Sequence, residues 1–289
     1  MAIEKVAVLG GGLMGSGIAE SVARAGIPVT VRDLDEAAIA GAGTRIAASL
    51  HRAVEGGKLD AEGAEEIRRR IVLTAELEEI AGADLVIEAV PENAGLKSAI
   101  LAQVAGIVSE DALIASNTSS IPIAQLAAGV SRPERVLGLH FFSPVPVMKL
   151  VEVVVALDTS EQVQLAACEF AERIGKRAIV TKDRSGFIVN MLLVPYLMAA
   201  VRMYEEGFAS AEDIDEGMKQ GCGHPMGPLT LSDFIGLDVL YSVCDSLYEE
   251  FKESAYAPPP LLKRMVASGR IGRKAGRGFY EYRREAVPA

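Results

Sequence analysis

The sequence has few cysteines, no excess of positive charge and no clean apolar run. Cys168, Cys222 and Cys244 are odd in number and show no C-x-x-C or His-rich spacing. Neither a disulfide framework nor a metal site is expected, and the three read as free thiols in a reducing compartment. Lys and Arg total 29 against 39 Asp and Glu, a formal net charge of -10. Such a surface repels a polyanion, which argues against nucleic acid as the main partner. The run Arg68, Arg69, Arg70 is then either a local anion cluster or a solvated helix face. The N-terminus goes straight into "KVAVLG" without a charged-then-apolar leader. The longest apolar stretch, 187 to 203, is interrupted by Asn190, Pro195 and Arg202, and falls short of the ~20 residues a spanning helix needs. The expectation is a cytoplasmic protein with no membrane association.

What is present is a core-forming chain of two-domain length. Of 289 residues, 50% are hydrophobic and 24% charged, an ordinary globular composition. Short apolar runs at 6–10, 29–33, 71–74, 84–90, 112–116, 136–142, 150–157 and 178–181 alternate with helical patterns. Continuous apolar strands separated by helices predict a parallel sheet covered on both faces, a doubly wound α/β domain. From 187 to 280 the pattern is helix after helix, so a domain boundary is expected near Arg184 and Ser185. The division is 1–184 for a Rossmann-type domain and 185–289 for an all-α domain.

"VAVLGGGLMGSGIA" fits G-x-G-x-x-G through Gly10, Gly12 and Gly15, with Leu13 and Met14 between the last two. A dinucleotide needs a tight turn, close backbone approach to pyrophosphate and free N–H groups at a helix N-terminus, and this loop lies between a strand and a helical pattern. Such glycines are often only turns. Here the second strand ends at Asp33, where a carboxylate can accept hydrogen bonds from the adenosine ribose. That acid repels a 2′-phosphate and favours NAD over NADP; Arg32 is a mild counter-signal, and the glycine pattern alone does not exclude FAD.

Three polar stretches fall at the carboxyl ends of strands, where ligands of doubly wound folds bind: "ASNTSS" (115–120), His140, and "VPENAGLK" (90–97). Glu152 is the only charge in "LVEVVVAL". Each has a plain structural reading: Ser119 or Ser120 as a cap for a helix starting near Ile121, Glu152 on an exposed edge strand, His140 as a satisfied core imidazole. Together they meet the needs of hydride chemistry. A carbinol proton needs a base, and imidazole changes charge near neutral pH. A carboxylate on the other ring nitrogen fixes the tautomer, and a hydroxyl and an amide, such as Ser119 and Asn190, can hold the substrate oxygen. His51, in a helical pattern, and His224, before Pro225, fit this role less well.

"VLGGGLMGSGIA", "IEAVPENAGLK", "ASNTSS", "GLHFFSPVPVMKLVEV", "DRSGFIVNMLLVPYL", "GHPMGPLTLSDFIGLD" and "GRKAGRGFYEY" together resemble the NAD-dependent L-3-hydroxyacyl-CoA dehydrogenases, the bacterial 3-hydroxybutyryl-CoA enzymes above all. The likeness runs from about residue 3 to 282 in the family's motif order. It implies an acyl-CoA substrate, His140 as the catalytic histidine and Glu152 as its paired acid. It implies substrate and cofactor contacts for Ser119 and Asn190, and NAD contacts for Glu92, Lys97 and Lys274. Ser49 falls where the family contacts CoA; the lysine some members use nearby is displaced, with Gly56 at the aligned place and Lys58 two residues on. The helical domain resembles the family's dimerisation domain, which implies a homodimer. Its "FIVNMLLVPYLMAA" is more apolar than a solvated helix should be, although a core helix within one subunit would look the same.

Two other readings compete. A dehydrogenase of free 3-hydroxy acids would be expected to carry a lysine in "SGFIVNMLLVP", where this chain offers Asn190. An NAD-binding module without catalysis would have no need of His140, Glu152, Ser119 and Asn190 together. Many family members also carry asparagine after "HFF", where this chain has Ser143, at a position assigned to the nicotinamide side of the cofactor. Ser143→Asn is expected to keep turnover; loss of turnover in steady-state assays would show a pocket built around serine.

Overall fold

Local chemistry sets the elements of the N-terminal unit. The computed structural model describes residues 2–282, and the chain divides into two compact units, one ending at Arg184 and the other beginning at Ser185. In the first, all eight apolar runs are strands: β1 (Val6–Leu9), β2 (Val29–Arg32), β3 (Ile71–Thr74), β4 (Leu85–Glu88), β5 (Leu113–Ser116), β6 (Val136–Phe141), β7 (Leu150–Val155) and β8 (Arg177–Lys182). They form one sheet in the order β3-β2-β1-β4-β5-β6-β7-β8. Between them run α1 (Leu13–Arg24), α2 (Glu36–Glu55), α3 (Ala61–Arg69), α4 (Ala94–Ala105), α5 (Ile123–Ala127) and α6 (Glu161–Arg173). Asp35, Asp60, Asn93 and Ser160 cap α2, α3, α4 and α6 by accepting from amides of their first turns, which supplies partners to donors a helix start leaves orphaned.

Burial on both faces explains why these strands read as unbroken apolar runs. Val6, Val8, Leu85, Ile87, Leu113 and Ala115 share one core with Ile18 and Val22 of α1, Ile46 and Leu50 of α2, and Ala167 and Phe170 of α6. Ala7, Val86 and Ile114 point the other way and are also fully buried, on the side where Leu101 and Val104 of α4 and Ile123 and Leu126 of α5 are buried.

The sheet departs from the expected all-parallel form at one place: β6 and β7 are antiparallel. Their connection, 142–149, is shorter than the dozen or more residues a parallel crossover needs. β8 then returns parallel to β7 after α6.

The second unit is helical through α7 (Val189–Glu205), α8 (Ala211–Cys222), α9 (Pro228–Ile235), α10 (Leu237–Phe251) and α11 (Pro260–Ala267). Its core gathers Leu197 and Val201, Ile214, Leu229, Leu240 and Leu247, and Leu262. Two buried carboxylates brace it. Asp215 accepts from the Leu229 and Thr230 amides and the Tyr280 hydroxyl, and Asp233 from the Phe279 and Tyr280 amides and the Tyr282 hydroxyl. Burial pushes the Asp233 carboxyl up from its ordinary value, against the pull of those donors. Among the described residues no helix is long and apolar enough to cross a membrane.

Candidate active site

The glycine-rich turn owes its shape to missing side chains. Gly10 has φ +90°, and a Cβ there would lie 2.8 Å from the Ala89 carbonyl oxygen; at Gly15 it would lie 1.8 Å from the Gly10 carbonyl oxygen. Gly12 is the N-cap of α1 and brings no side-chain cap, and space beside it is open. Leu13 and Met14 open the helix, with Leu13 exposed, so the first-turn N–H groups and the positive end of the dipole are available to an anion. Asp33 follows β2; its Oδ2 accepts from the Gly11 amide at 2.7 Å and its Oδ1 from the Leu34 amide at 2.7 Å. A carboxylate offers about four lone-pair sites, so acceptor capacity remains for ribose hydroxyls. These residues fit NAD. The Nε of Arg32 is turned to the Ala75 carbonyl, 3.2 Å away.

β1, β4, β5 and β6 run parallel, so their carboxyl ends share one edge and bring the expected polar stretches together. On β6, His140 lies directly opposite Glu152 of β7 in the antiparallel register. Side chains of such a pair share a face with Cβ atoms ~5 Å apart, and here His140 Nδ1 is 2.6 Å from Glu152 Oε2. His140 is 5% exposed and Glu152 is fully buried. β7 lies inside the sheet, which disposes of the exposed-edge reading of Glu152. The Phe142 ring packs edge-on to the imidazole with centroids 4.6 Å apart.

Glu92 organises the loop that carries Ser119. Its Oε1 accepts from the Thr118 hydroxyl at 2.6 Å, from the Ser119 and Ser120 amides at 2.9 and 3.2 Å, and from the Ser120 hydroxyl at 3.2 Å. Partial burial pushes the Glu92 carboxyl up, but the Lys97 ammonium, the Thr118 hydroxyl and the Ser119 amide outweigh it and hold the group below the usual carboxylate range. Lys97 is buried, and its ammonium lies 2.7 Å from Glu88 Oε1, 3.1 Å from the Val90 carbonyl and 3.3 Å from Glu92 Oε2. An ammonium has three donors, so these acceptors match its full set.

Several residues in this framework escaped sequence reasoning. Glu88, fully buried at the end of β4, accepts from Lys97, the Val90 amide and, at 2.5 Å, the Ser116 hydroxyl. Its signal resembled that of Glu152, a charge among apolar strand residues, here at the strand's end. Asn117 Oδ1 accepts from the Phe141 amide at 2.9 Å and ties the Ser119 loop to the end of the His140 strand. α5 begins at Ile123, and its first amides, Ile123 and Ala124, donate to Asp183 at the end of β8 rather than to a serine. The buried Lys176 donates to the carbonyls of Val145 and Met148 at 2.5 and 2.7 Å and pins the turn that contains Ser143; burial lowers its pKa.

The remaining candidates are placed individually. Ser49 is half-buried on α2 and Lys58 is exposed just beyond it. Arg68, Arg69 and Arg70 pair with Glu65 and Glu66 on the surface of α3 and its C-cap, the solvated reading. In the helical unit Asn190 lies in the first turn of α7, and Lys274 donates to Asp238 at 2.7 Å. His51 is on an exposed face of α2, and His224 Nδ1 is 3.1 Å from the Tyr196 hydroxyl.

Removing one partner of a buried ion pair strands the other charge. Lys97→Met is therefore expected to destabilise the chain by about 3–5 kcal/mol, with most of the loss recovered in the double variant Glu88→Gln/Lys97→Met. Chemical denaturation checks this; a single variant as stable as the wild type would contradict it.

Comparison with known proteins identifies the family. Residues 5–184 match the model of the 3-hydroxyacyl-CoA dehydrogenase NAD binding domain, and residues 186–282 that of the 3-hydroxyacyl-CoA dehydrogenase C-terminal domain. The chain is 51% identical to a 3-hydroxybutyryl-CoA dehydrogenase of Mycobacterium tuberculosis over 97% of its own length and 99% of the relative's. It is 45% identical to a probable 3-hydroxybutyryl-CoA dehydrogenase of Bacillus subtilis, with 98% of each covered. The crystal structure of (S)-3-hydroxybutyryl-CoA dehydrogenase from Ralstonia eutropha superposes with a TM-score of 0.92 at 44% identity, over 97% of this chain and 99% of that one. With both halves matched in order, the chain belongs to the 3-hydroxyacyl-CoA dehydrogenase family, NAD-dependent oxidoreductases.

Proposed function

We propose that this enzyme oxidises an L-3-hydroxyacyl-CoA of short chain, 3-hydroxybutyryl-CoA first, to the 3-oxoacyl-CoA, with His140 and Glu152 as its catalytic pair. The observation that carries the reading is the 2.6 Å contact of His140 Nδ1 with Glu152 on adjoining strands, with His140 at the sheet edge that holds the glycine-rich turn. Bound NAD supplies the acceptor for the hydride leaving carbon 3. The chain's own residues handle the proton. Glu152 holds the imidazole by Nδ1, Nε2 is assigned as the base for the substrate hydroxyl, and the carboxylate stabilises the imidazolium that results.

Ser119 and Asn190 are assigned to the substrate oxygen by their hydroxyl and amide. The anchoring of the Ser119 loop by Glu92 supports its part, because a donor fixed beforehand need not be ordered during the reaction. Gly10, Gly12, Leu13, Met14, Gly15 and Asp33 take the pyrophosphate and adenosine ribose; Glu92, Ser143 and Lys274 serve the cofactor from the nicotinamide side, with Lys97 behind Glu92. Ser49 and Lys58 are assigned to CoA. The helical unit is assigned to substrate and to homodimer formation, supported by Leu192, Phe208, Phe234 and Val239, large apolar side chains exposed in a unit that already has its own core. The three free thiols fit a cytoplasmic setting.

The purified protein with NAD and L-3-hydroxybutyryl-CoA is expected to form NADH, and to form none with the free acid or the D isomer. His140→Ala should lower kcat by roughly 10²- to 10⁴-fold. Absence of NADH with every chain length, NAD still binding, would remove the enzyme reading in favour of a binding module. Sedimentation is expected to give a dimer, and a monomer at all concentrations would remove the dimer assignment.

A further inference from the structure

The glycine-rich turn is gripped by a residue that no part of the cofactor site so far accounts for. Arg45, on the exposed side of α2, directs Nε and one terminal nitrogen at the Gly11 carbonyl oxygen, at 3.0 and 2.7 Å. The same oxygen accepts from the Ser16 hydroxyl of α1 at 2.7 Å. On the other side of the residue, the Gly11 amide donates to Asp33 at 2.7 Å. Both polar groups of one glycine are thus held, one by an anion and one by a cation and a hydroxyl. The fit against α2 is close: a Cβ on Gly11 would come 2.5 Å from the Cβ of Ala42, three residues before Arg45.

A trans peptide unit is planar, so the carbonyl of one residue and the N–H of the next point in opposite directions. Drawing the Gly11 carbonyl toward α2 therefore turns the Gly12 N–H away from it. Gly12 is the N-cap of α1, with open space beside it and no side-chain cap, where a backbone donor can meet an anion. Three consecutive glycines have wide conformational freedom, and without such a hold the turn would have to be ordered each time a ligand binds. We propose that Arg45 is a positioning residue for the cofactor: by holding the Gly11 carbonyl it sets the Gly12 N–H toward the pyrophosphate of NAD before NAD arrives. Guanidinium suits this task, since it stays charged and offers two donors in fixed geometry to one oxygen.

The rival assignment comes from the helix itself. Arg45 is four residues before Ser49, on the same face of α2, so its charge could serve CoA instead. Arg45→Met and Arg45→Lys in the full chain separate the two. Arg45→Met is expected to weaken NAD and ADP-ribose equally, about ten-fold each, the scale of one charge-assisted hydrogen bond. kcat at saturating NAD, the KM for acyl-CoA and the melting temperature should stay at wild-type values, and Arg45→Lys should restore part of the affinity. An unchanged NAD affinity in Arg45→Met overturns the proposal, and a raised KM for acyl-CoA with that unchanged affinity would give Arg45 to the substrate. Wild-type NAD binding, measured in the same titrations, keeps this outcome distinct from any failure of the cofactor site itself.

Discussion

The His140–Glu152 pair exists because two neighbouring strands run in opposite directions. In the register that pairs Gly138 with Val154 and Phe141 with Val151, the histidine and the glutamate become direct partners, and two ionisable groups that would each be costly to bury satisfy one another. The rest of the edge is arranged around that rung. Parallel neighbours on one side deliver the glycine-rich turn, the Glu92 loop and the Ser119 loop to the same edge as His140, and the short connection 142–149 that reverses the chain also carries Ser143. Had this connection been a helical crossover, β7 would have run parallel to β6 and the glutamate would have lost this partner.

Much of this was legible from sequence because burial on both faces leaves a strong mark. All eight strands appear as apolar runs, whereas the capping residues Asp35, Asn93 and Ser160 emerged only with the structure. Direction was not legible: an apolar run reads the same either way, and only the length of the linker after β6 told against a parallel pairing. Of the candidate site, Asp33 and His140 carried signals in type and position, one just after its strand and the other near the end of another.

The supporting residues were harder to read. Asp183 caps α5 from 59 and 60 positions away, a distance at which no local rule operates. Lys176 looks like a surface lysine until the turn that covers it is in place. Glu88 is different, since its isolation in an apolar strand was visible, and only its hydrogen-bond partners, Lys97 and Ser116, explain why a carboxylate lies there. Positioning networks are long-range by nature, so their members show as individually odd residues before they show as a group.

The buried Lys176 also bears on how this turn can vary. It grips the turn after β6 by two main-chain oxygens, of Val145 and Met148, and Val145 in turn sits against α1, where a Cβ at Gly17 would come within 2.9 Å of it. The path of the turn is thereby set by backbone and core, with no contribution demanded from the side chain at 143. Position 143 is left free to drift in sequence while the scaffold beneath it stays in place, and side chains of different length can stand there without the chain having to reroute.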